Sequence, residues 1–328
     1  MKTTLKLAAL AATLAPFAAQ AQDINIAYLA SSSQNGFNQA IYEGIQKAAA
    51  EHGNVNVEIF DGEFSAPVQF TQVEDLVAGG RFDAMIVTPN DTVGIATALE
   101  DASAAGIKVA ATLFPIGPDL KNMEPQVEGL VTTVASDPSI GAERQANEVV
   151  AFCEDKDPCK VVILIGQLIY PFDNLRYETF QKVLGEHPNI EIVATGEGNY
   201  SPETSLTAMQ DILQSNADLD AVLSNADQHL MGAEIAIVDA GLDLEEIYLI
   251  GGGLNQIATD AIRAGQWDAS LAQFPVSMGE AALNAMISSL NGEDVPTWID
   301  ESKLGASPAI VTKEWLDENP DFTAEWQG

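Results

Sequence analysis

The chain has 328 residues, with 48 Asp and Glu against 14 Lys and Arg, two Cys and a formal net charge of −34. That length predicts two domains at roughly 150 residues each, and a hydrophobic content of 47% is enough to build real cores. The acidity excludes nucleic acid, whose phosphates are gripped by clusters of Lys and Arg, and it disfavours anionic membrane surfaces and highly charged anionic ligands.

Residues 1–21 read as a secretory signal. Lys2 and Lys6 supply a positive start, residues 7–15 an apolar run, and Ala19-Gln20-Ala21 a small-x-small cleavage site. The apolar run is far shorter than the ~20 residues that span a bilayer. Cleavage after Ala21 is expected to send a soluble chain to the periplasm. Cys153 and Cys159 flank a helix-to-strand turn, close enough for a local disulfide in an oxidising compartment. Two Cys without a nearby His are too few for a metal site, and none is expected.

From Asp23 the pattern alternates. Residues 24–30 form a short apolar run, 37–52 have helical spacing before Gly53, and 55–60 alternate as a strand. Pro67 opens a helix that Gly79-Gly80 stops; residues 84–87 are a buried strand, 91–105 a helix with Asp91 as its cap, and 109–112 another strand. A Pro- and Gly-bearing stretch, 114–129, precedes a strand at 130–134 and a helix from Pro138 capped by Ser136 or Asp137. The rhythm restarts with strands at 161–165, 190–195, 221–224, 247–251 and 269–272, and helices at 174–186, 202–215, 227–240, 256–264 and 278–290. Alternating β and α with apolar strands predicts the α/β class: two doubly wound, Rossmann-like domains of parallel strands. The halves share an architecture and no visible sequence repeat.

Ligands of doubly wound domains sit beyond the carboxyl ends of the strands. Three such loops are rich in neutral donors and acceptors: residues 31–38 (Ser-Ser-Ser-Gln-Asn-Gly-Phe-Asn), 88–91 (Thr-Pro-Asn-Asp) and 225–229 (Asn-Ala-Asp-Gln-His). Amides and hydroxyls match the paired donors and acceptors of a polyhydroxylated ligand, and aromatic rings cover its C–H surface. Gly251-Gly252-Gly253 lacks the last glycine of a dinucleotide fingerprint, where Gln256 stands, and reads as a close backbone approach. No nucleophile elbow or metal-binding spacing supports catalysis, so no enzyme and no cofactor are expected.

Several strings in this order resemble the periplasmic sugar-binding proteins of ABC importers, the type I, ribose-binding-protein-like family. They are Ser31-x-x-x-Asn35-x-Phe37 before Glu43-Gly44, Thr88-Pro89-Asn90-Asp91, Ala135-Ser136-Asp137, Asn174-x-Arg176-x-x-x-Phe180, Asn225-x-Asp227 with Gly232-Ala233, and Ala272-Gln273-Phe274-Pro275. The resemblance implies two lobes joined by a three-segment hinge: a first lobe of residues 22–134 plus 276–303 and a second of 135–275 plus 304–328. It assigns ligand contacts to Ser31, Asn35, Phe37 and Asn38 on the first lobe, and to Asn174, Asp227 and Gln273 on the second lobe and hinge. Where ribose binders carry an Asp-Arg pair, this chain has Leu113-Phe114; Phe114 and Asn255 are added as candidate contacts. The implied partners are a small neutral monosaccharide or sugar alcohol and a membrane permease, served by a monomer that closes on its ligand. The alternative is a periplasmic sensor presenting a sugar or autoinducer-2-like signal to a membrane receptor.

Overall fold

The computed structural model describes residues 23–328; the expected signal sequence lies outside the described residues. Two six-stranded sheets organise the chain, and both are wound in the same order. The first contains β1 (Ile24–Ala30), β2 (Val55–Asp61), β3 (Ala84–Val87), β4 (Lys108–Leu113), β5 (Leu130–Ala135) and β11 (Trp298–Asp300). Across the sheet they run β2-β1-β3-β4-β5-β11, all parallel. The second contains β6 (Cys159–Ile165), β7 (Ile190–Glu197), β8 (Ala221–Ser224), β9 (Tyr248–Gly253), β10 (Ala269–Ala272) and β12 (Ile310–Thr312). Its order is β7-β6-β8-β9-β10-β12, with only β12 antiparallel to its neighbour. In each sheet the winding reverses between the first strand and the third, where a crevice opens beyond the strand ends.

The central strands are apolar on both faces because helices cover both. Ile26, Tyr28 and Ala30 point into one core and Ala27 and Leu29 into the other. Val162 and Leu164 against Val161, Ile163 and Ile165 repeat that division in the second sheet. The helices begin where residue chemistry starts them. In α1 (Gly36–His52) the Asn35 side chain accepts from the amide of Asn38, and Gly53 closes the helix in the left-handed conformation. Proline opens α2 (Ala66–Gly79), α4 (Pro138–Phe152), α5 (Pro171–Gly185), α6 (Pro202–Leu213) and α9 (Pro275–Leu290).

The helix expected from Asp91 is shorter. Asp91 Oδ1 accepts from the amides of Val93 and Gly94, both at 2.9 Å, so the chain makes one turn before α3 (Ala96–Ala104) starts. The remaining helices are α7 (Asp227–Asp239), α8 (Gln256–Ala264) and α10 (Lys313–Glu318). None of the described helices is long and apolar enough to cross a membrane. Helix α9 lies on α1; a Cβ at Gly44 would stand 1.9 Å from the carbonyl oxygen of Val276, so only glycine permits that approach. Cys153 and Cys159 are disulfide-bonded and tie the end of α4 to the start of β6.

Three segments pass between the sheets: residues 136–137, 273–274 and 301–309. All three meet at the buried Glu301, whose carboxylate accepts from Ser136 Oγ at 2.9 Å and from the Phe274 amide at 3.1 Å. Burial pushes its pKa up to about 7, and those two donors pull against that rise. The C-terminal tail also touches both lobes. Trp326 packs edge-on to Phe37 at 5.3 Å and donates to the carbonyl of Gly253, while Glu325 accepts from Ser277 at the start of α9.

Candidate functional site

The strand-end loops of the two lobes face each other across a narrow, largely enclosed cavity. Its first-lobe wall comes from the loops after β1 (Ser31, Asn35, Phe37, Asn38), β2 (Phe64), β3 (Asn90) and β4 (Leu113, Phe114). The second-lobe wall comes from the loops after β6 (Tyr170, Phe172, Arg176), β7 (Tyr200), β8 (Asn225, Ala226, Gln228) and β9 (Gly252), with Gln273 from the hinge. Sheet order brings each lobe's loops to its own crevice at the switch point, and the hinge sets the two crevices face to face.

The first-lobe amides are largely engaged with their own backbone. Asn38 Oδ1 accepts from the Ser31 amide and from Tyr28 Oη, and its Nδ2 donates to Asn35 Oδ1. Asn35 Oδ1 also caps α1, which leaves its Nδ2 for the cavity. Ser31 Oγ donates to the carbonyl of Thr88, and Asn90 Nδ2 to the carbonyls of Ser31 and Gly62. The wall is thus pre-shaped, presenting single atoms of Asn35 and Asn90.

The second lobe holds an ionic centre. Asp173, fully buried, accepts from Tyr200 Oη at 2.5 Å, the Gln167 amide at 2.7 Å and Asn225 Nδ2 at 3.2 Å. The Arg176 guanidinium lies 3.6 Å away. Burial pushes Asp173 up to about 6 and those partners pull it back, so it is ionised at neutral pH. Its charge offsets that of Arg176, and the pair adds no net charge to the cavity. Besides Asp173, Arg176 has only a long contact to Tyr200 Oη, and its side chain lines the cavity with its guanidinium over the Phe114 ring. Asn225 Oδ1 is buried without a partner, an acceptor held ready.

His229 is not a base. Its Nε2 accepts from the Tyr200 amide and its Nδ1 hydrogen serves Ser224 Oγ, so both ring nitrogens are engaged. Burial, then the charge of Arg176, push its pKa down to about 3. Ser224 Oγ in turn bonds the backbone of Ala226.

Aromatic rings join the lobes. Phe114 stacks on Phe172 with centroids 4.0 Å apart, and Tyr170 stacks on Phe172 at 5.6 Å. Phe64 stacks on Tyr200 at 5.8 Å, and Tyr170 Oη donates to the Phe64 carbonyl at 2.5 Å. The lobes are therefore closed against each other in this structure.

Of the residues named from sequence, Ser31, Asn35, Phe37, Asn38, Phe114 and Gln273 line the cavity. Asn174, Asp227 and Asn255 do not. Asn174 donates to Glu178 along α5, and Arg176, on another face of that helix, enters the cavity instead. Asp227 lies behind β9, accepting from Ser270 Oγ and the Asn255 amide; a Cβ on Gly251 would strike it at 2.4 Å. Asn255 caps α8 through the Ala258 amide. Sequence reasoning missed Phe64 and Tyr200 as contacts. Both occupy the left-handed region, φ 49° and 53°, after matching strings Gly62-Glu63-Phe64-Ser65 and Gly198-Asn199-Tyr200-Ser201. That short repeat, each copy closely followed by proline, was the available signal.

The comparisons agree with this geometry. Residues 26–294 match the family described as periplasmic binding protein domain. The ribose import binding protein of Bacillus subtilis (strain 168) is 30% identical over 84% of this chain and 84% of its own length. That of Escherichia coli (strain K12) is 25% identical over 96% of this chain and 98% of its own. Among solved structures, an ABC transporter solute binding protein from Bacillus halodurans C-125 with bound myo-inositol superposes with a TM-score of 0.79 at 21% identity, covering 92% of this chain and 99% of that one. Two like-wound lobes closed over a cavity, together with these relatives, place the chain in the periplasmic binding protein domain family.

Proposed function

We propose that this chain is the substrate-binding protein of an ABC importer. It captures a small neutral polyhydroxylated ligand, a monosaccharide or sugar alcohol, by hinge closure between lobes 22–134 plus 276–303 and 135–275 plus 304–328. It then delivers the ligand to a membrane permease. It catalyses no reaction, and it works in the periplasm after cleavage behind Ala21. The observation that carries the reading is the interlobe cavity itself: the free atoms of Asn35, Asn90, Arg176, Asn225, Gln228 and Gln273 converge there from both lobes, beside a charge pair that cancels. A ligand touching both walls favours the closed form over the open one, and that difference is what a permease can read.

The test is thermal unfolding of ligand-free mature protein against pentoses, hexoses, deoxysugars and polyols. A ligand at about 1,000 times its Kd stabilises by about 4 kcal/mol, several degrees in Tm for a chain of this size. A shift confined to one class of neutral carbohydrate is expected. No shift with any of them would overturn the reading.

A further inference from the structure

The segment 319–328 follows the last strand of the second sheet and reaches into the first lobe. Three hydrogen bonds seat it on the second lobe. Arg263 of α8 donates to the Phe322 carbonyl at 2.6 Å, and Gln256, which opens that helix, accepts from the Ala324 amide at 3.0 Å. The Gln256 amide in turn donates to the Trp326 carbonyl at 2.8 Å. The side chains that come next point to the first lobe. Glu325 accepts from the Ser277 amide of α9 at 3.1 Å, and the buried Trp326 ring packs into the apolar core formed by β1, α1 and α9.

The indole of Trp326 is held by both cavity walls. Phe37, part of the first-lobe wall, meets it edge-on with centroids 5.3 Å apart. Its Nε1 donates to the Gly253 carbonyl at 2.9 Å, one residue beyond Gly252 of the opposite wall. Two glycines make room for the segment. A Cβ on Gly253 would lie 2.9 Å from the indole, and one on Gly36 2.1 Å from the Gly328 carbonyl oxygen. The last residue of Gly251-Gly252-Gly253, a string expected from sequence to mark a close backbone approach, is therefore the seat of Trp326.

Resting on the ligand-binding reading above, we propose that Trp326 is a positioning residue for the ligand: from behind the wall it straps the end of β9 to Phe37 and sets the two lobes' separation. Hinge opening that parts Phe37 from Gly253 has to draw the indole off one of its two seats. That exposes apolar surface or leaves the Gly253 carbonyl without its donor. The strap weights the closed form before any ligand arrives, so less of the binding energy goes into closing the lobes.

Two variants test this by small-angle X-ray scattering and calorimetry, with the carbohydrate that raises Tm most and well below each variant's unfolding midpoint. Trp326→Ala should enlarge the ligand-free radius of gyration and leave the ligand-saturated radius equal to the parent's. It should also weaken affinity about tenfold, within the usual span of couplings between a conformational equilibrium and a ligand. Trp326→Phe keeps a ring against Phe37 and drops the bond to Gly253; it should move both readings the same way by less, and it decides the matter if Trp326→Ala does not fold. A Trp326 that only helps the lobes fold would lower Tm in both variants with radius and affinity unchanged. That result would overturn the proposal, as would an affinity loss with no change in the ligand-free radius. Because that radius is read without ligand, a panel in which no carbohydrate binds would remove the function proposed above, and the radius would still decide whether the strap exists.

Discussion

The two lobes repeat one design down to a single ring. After the second strand of each sheet the chain runs Gly, one residue, an aromatic and Ser, and the aromatic is held left-handed in both copies: Phe64 in the first lobe, Tyr200 in the second. These counterparts stack on one another across the cleft. Their difference is one oxygen, and it separates the two walls. Phe64 contributes a ring and its carbonyl. Tyr200 Oη instead donates to Asp173 and accepts from Asn225, with Arg176 beside it. The first lobe is a pre-shaped wall whose amides hold their own loops; the second carries the charge pair and most of the unengaged donors. Discrimination among polar ligands therefore belongs chiefly to the second lobe.

Breaking the charge pair is the severest test of that contrast. Arg176→Met strands a buried carboxylate, which should cost about 3–5 kcal/mol of stability in a denaturant titration and abolish detectable ligand binding. Adding Asp173→Asn should restore much of the stability, since no buried charge is left, without restoring binding. Affinity retained in Arg176→Met would show that the first lobe does the selecting.

Glu301 sharpens the comparison at the hinge, where the lobes are joined. Its carboxyl titrates near 7 in the folded chain and near 4.5 when unfolded, so between those values the folded state binds more protons. Its contribution to stability is therefore most favourable below about pH 4.5, declines as pH rises through 7, and is flat above, a swing of about 3 kcal/mol. Asp173 and Asp227, both pushed up to about 6 by burial, tilt the same way at lower pH. Glu301→Gln keeps an acceptor for the Phe274 amide and removes the titration. Unfolding midpoints of the variant and the parent should coincide near pH 4.5 and diverge, variant higher, by pH 8. Parallel curves would mean that Glu301 is not the group that titrates.

How far the sequence revealed this molecule follows from where its signals are local. Strands were legible as short apolar runs, and helix starts because Asp137 and the prolines Pro67, Pro138 and Pro202 announce them. The first crossing, near Thr133–Asp137, falls where the strand–helix rhythm restarts; the other two hinge segments came from the family resemblance and have no local signal of their own. Cavity-lining residues were legible in loops and in the first turn of α1, as at Ser31, Asn35, Phe37, Asn38 and Gln273. Inside α5 the position on the helix decides, and two residues turn a side chain by about 200°; Asn174 and Arg176 sit in one recognised string, yet only Arg176 reaches the cavity. Asp227 and Asn255 carry the polar character expected of contacts but use it to pin α7, α8 and β9 together. Nothing in a linear pattern separates a polar group that holds a wall from one that faces through it.

Smaller substitutions grade the two walls. Gln273→Ala and Asn35→Ala should each weaken binding by about 1–3 kcal/mol, the cost of a ligand group left unpaired. Only Asn35→Ala should also lower stability, by about 1 kcal/mol, because its Oδ1 caps α1. Equal stability losses in both would place Gln273 in the hinge's structure instead of its binding surface.

The smallest effect is the most discriminating for the geometry of α5. Asn174 lies in the string that the family resemblance marks as ligand-binding, yet its amide bonds Glu178 on its own helix. Pairs of this kind stabilise a helix by a few tenths of a kcal/mol, so Asn174→Ala should change both stability and affinity by less than about 0.5 kcal/mol. Calorimetry on Asn174→Ala beside Arg176→Met reads the helix's orientation directly. A loss of affinity at Asn174 with binding intact at Arg176 would require α5 to turn about its axis on closure, exchanging the side chain that meets the ligand.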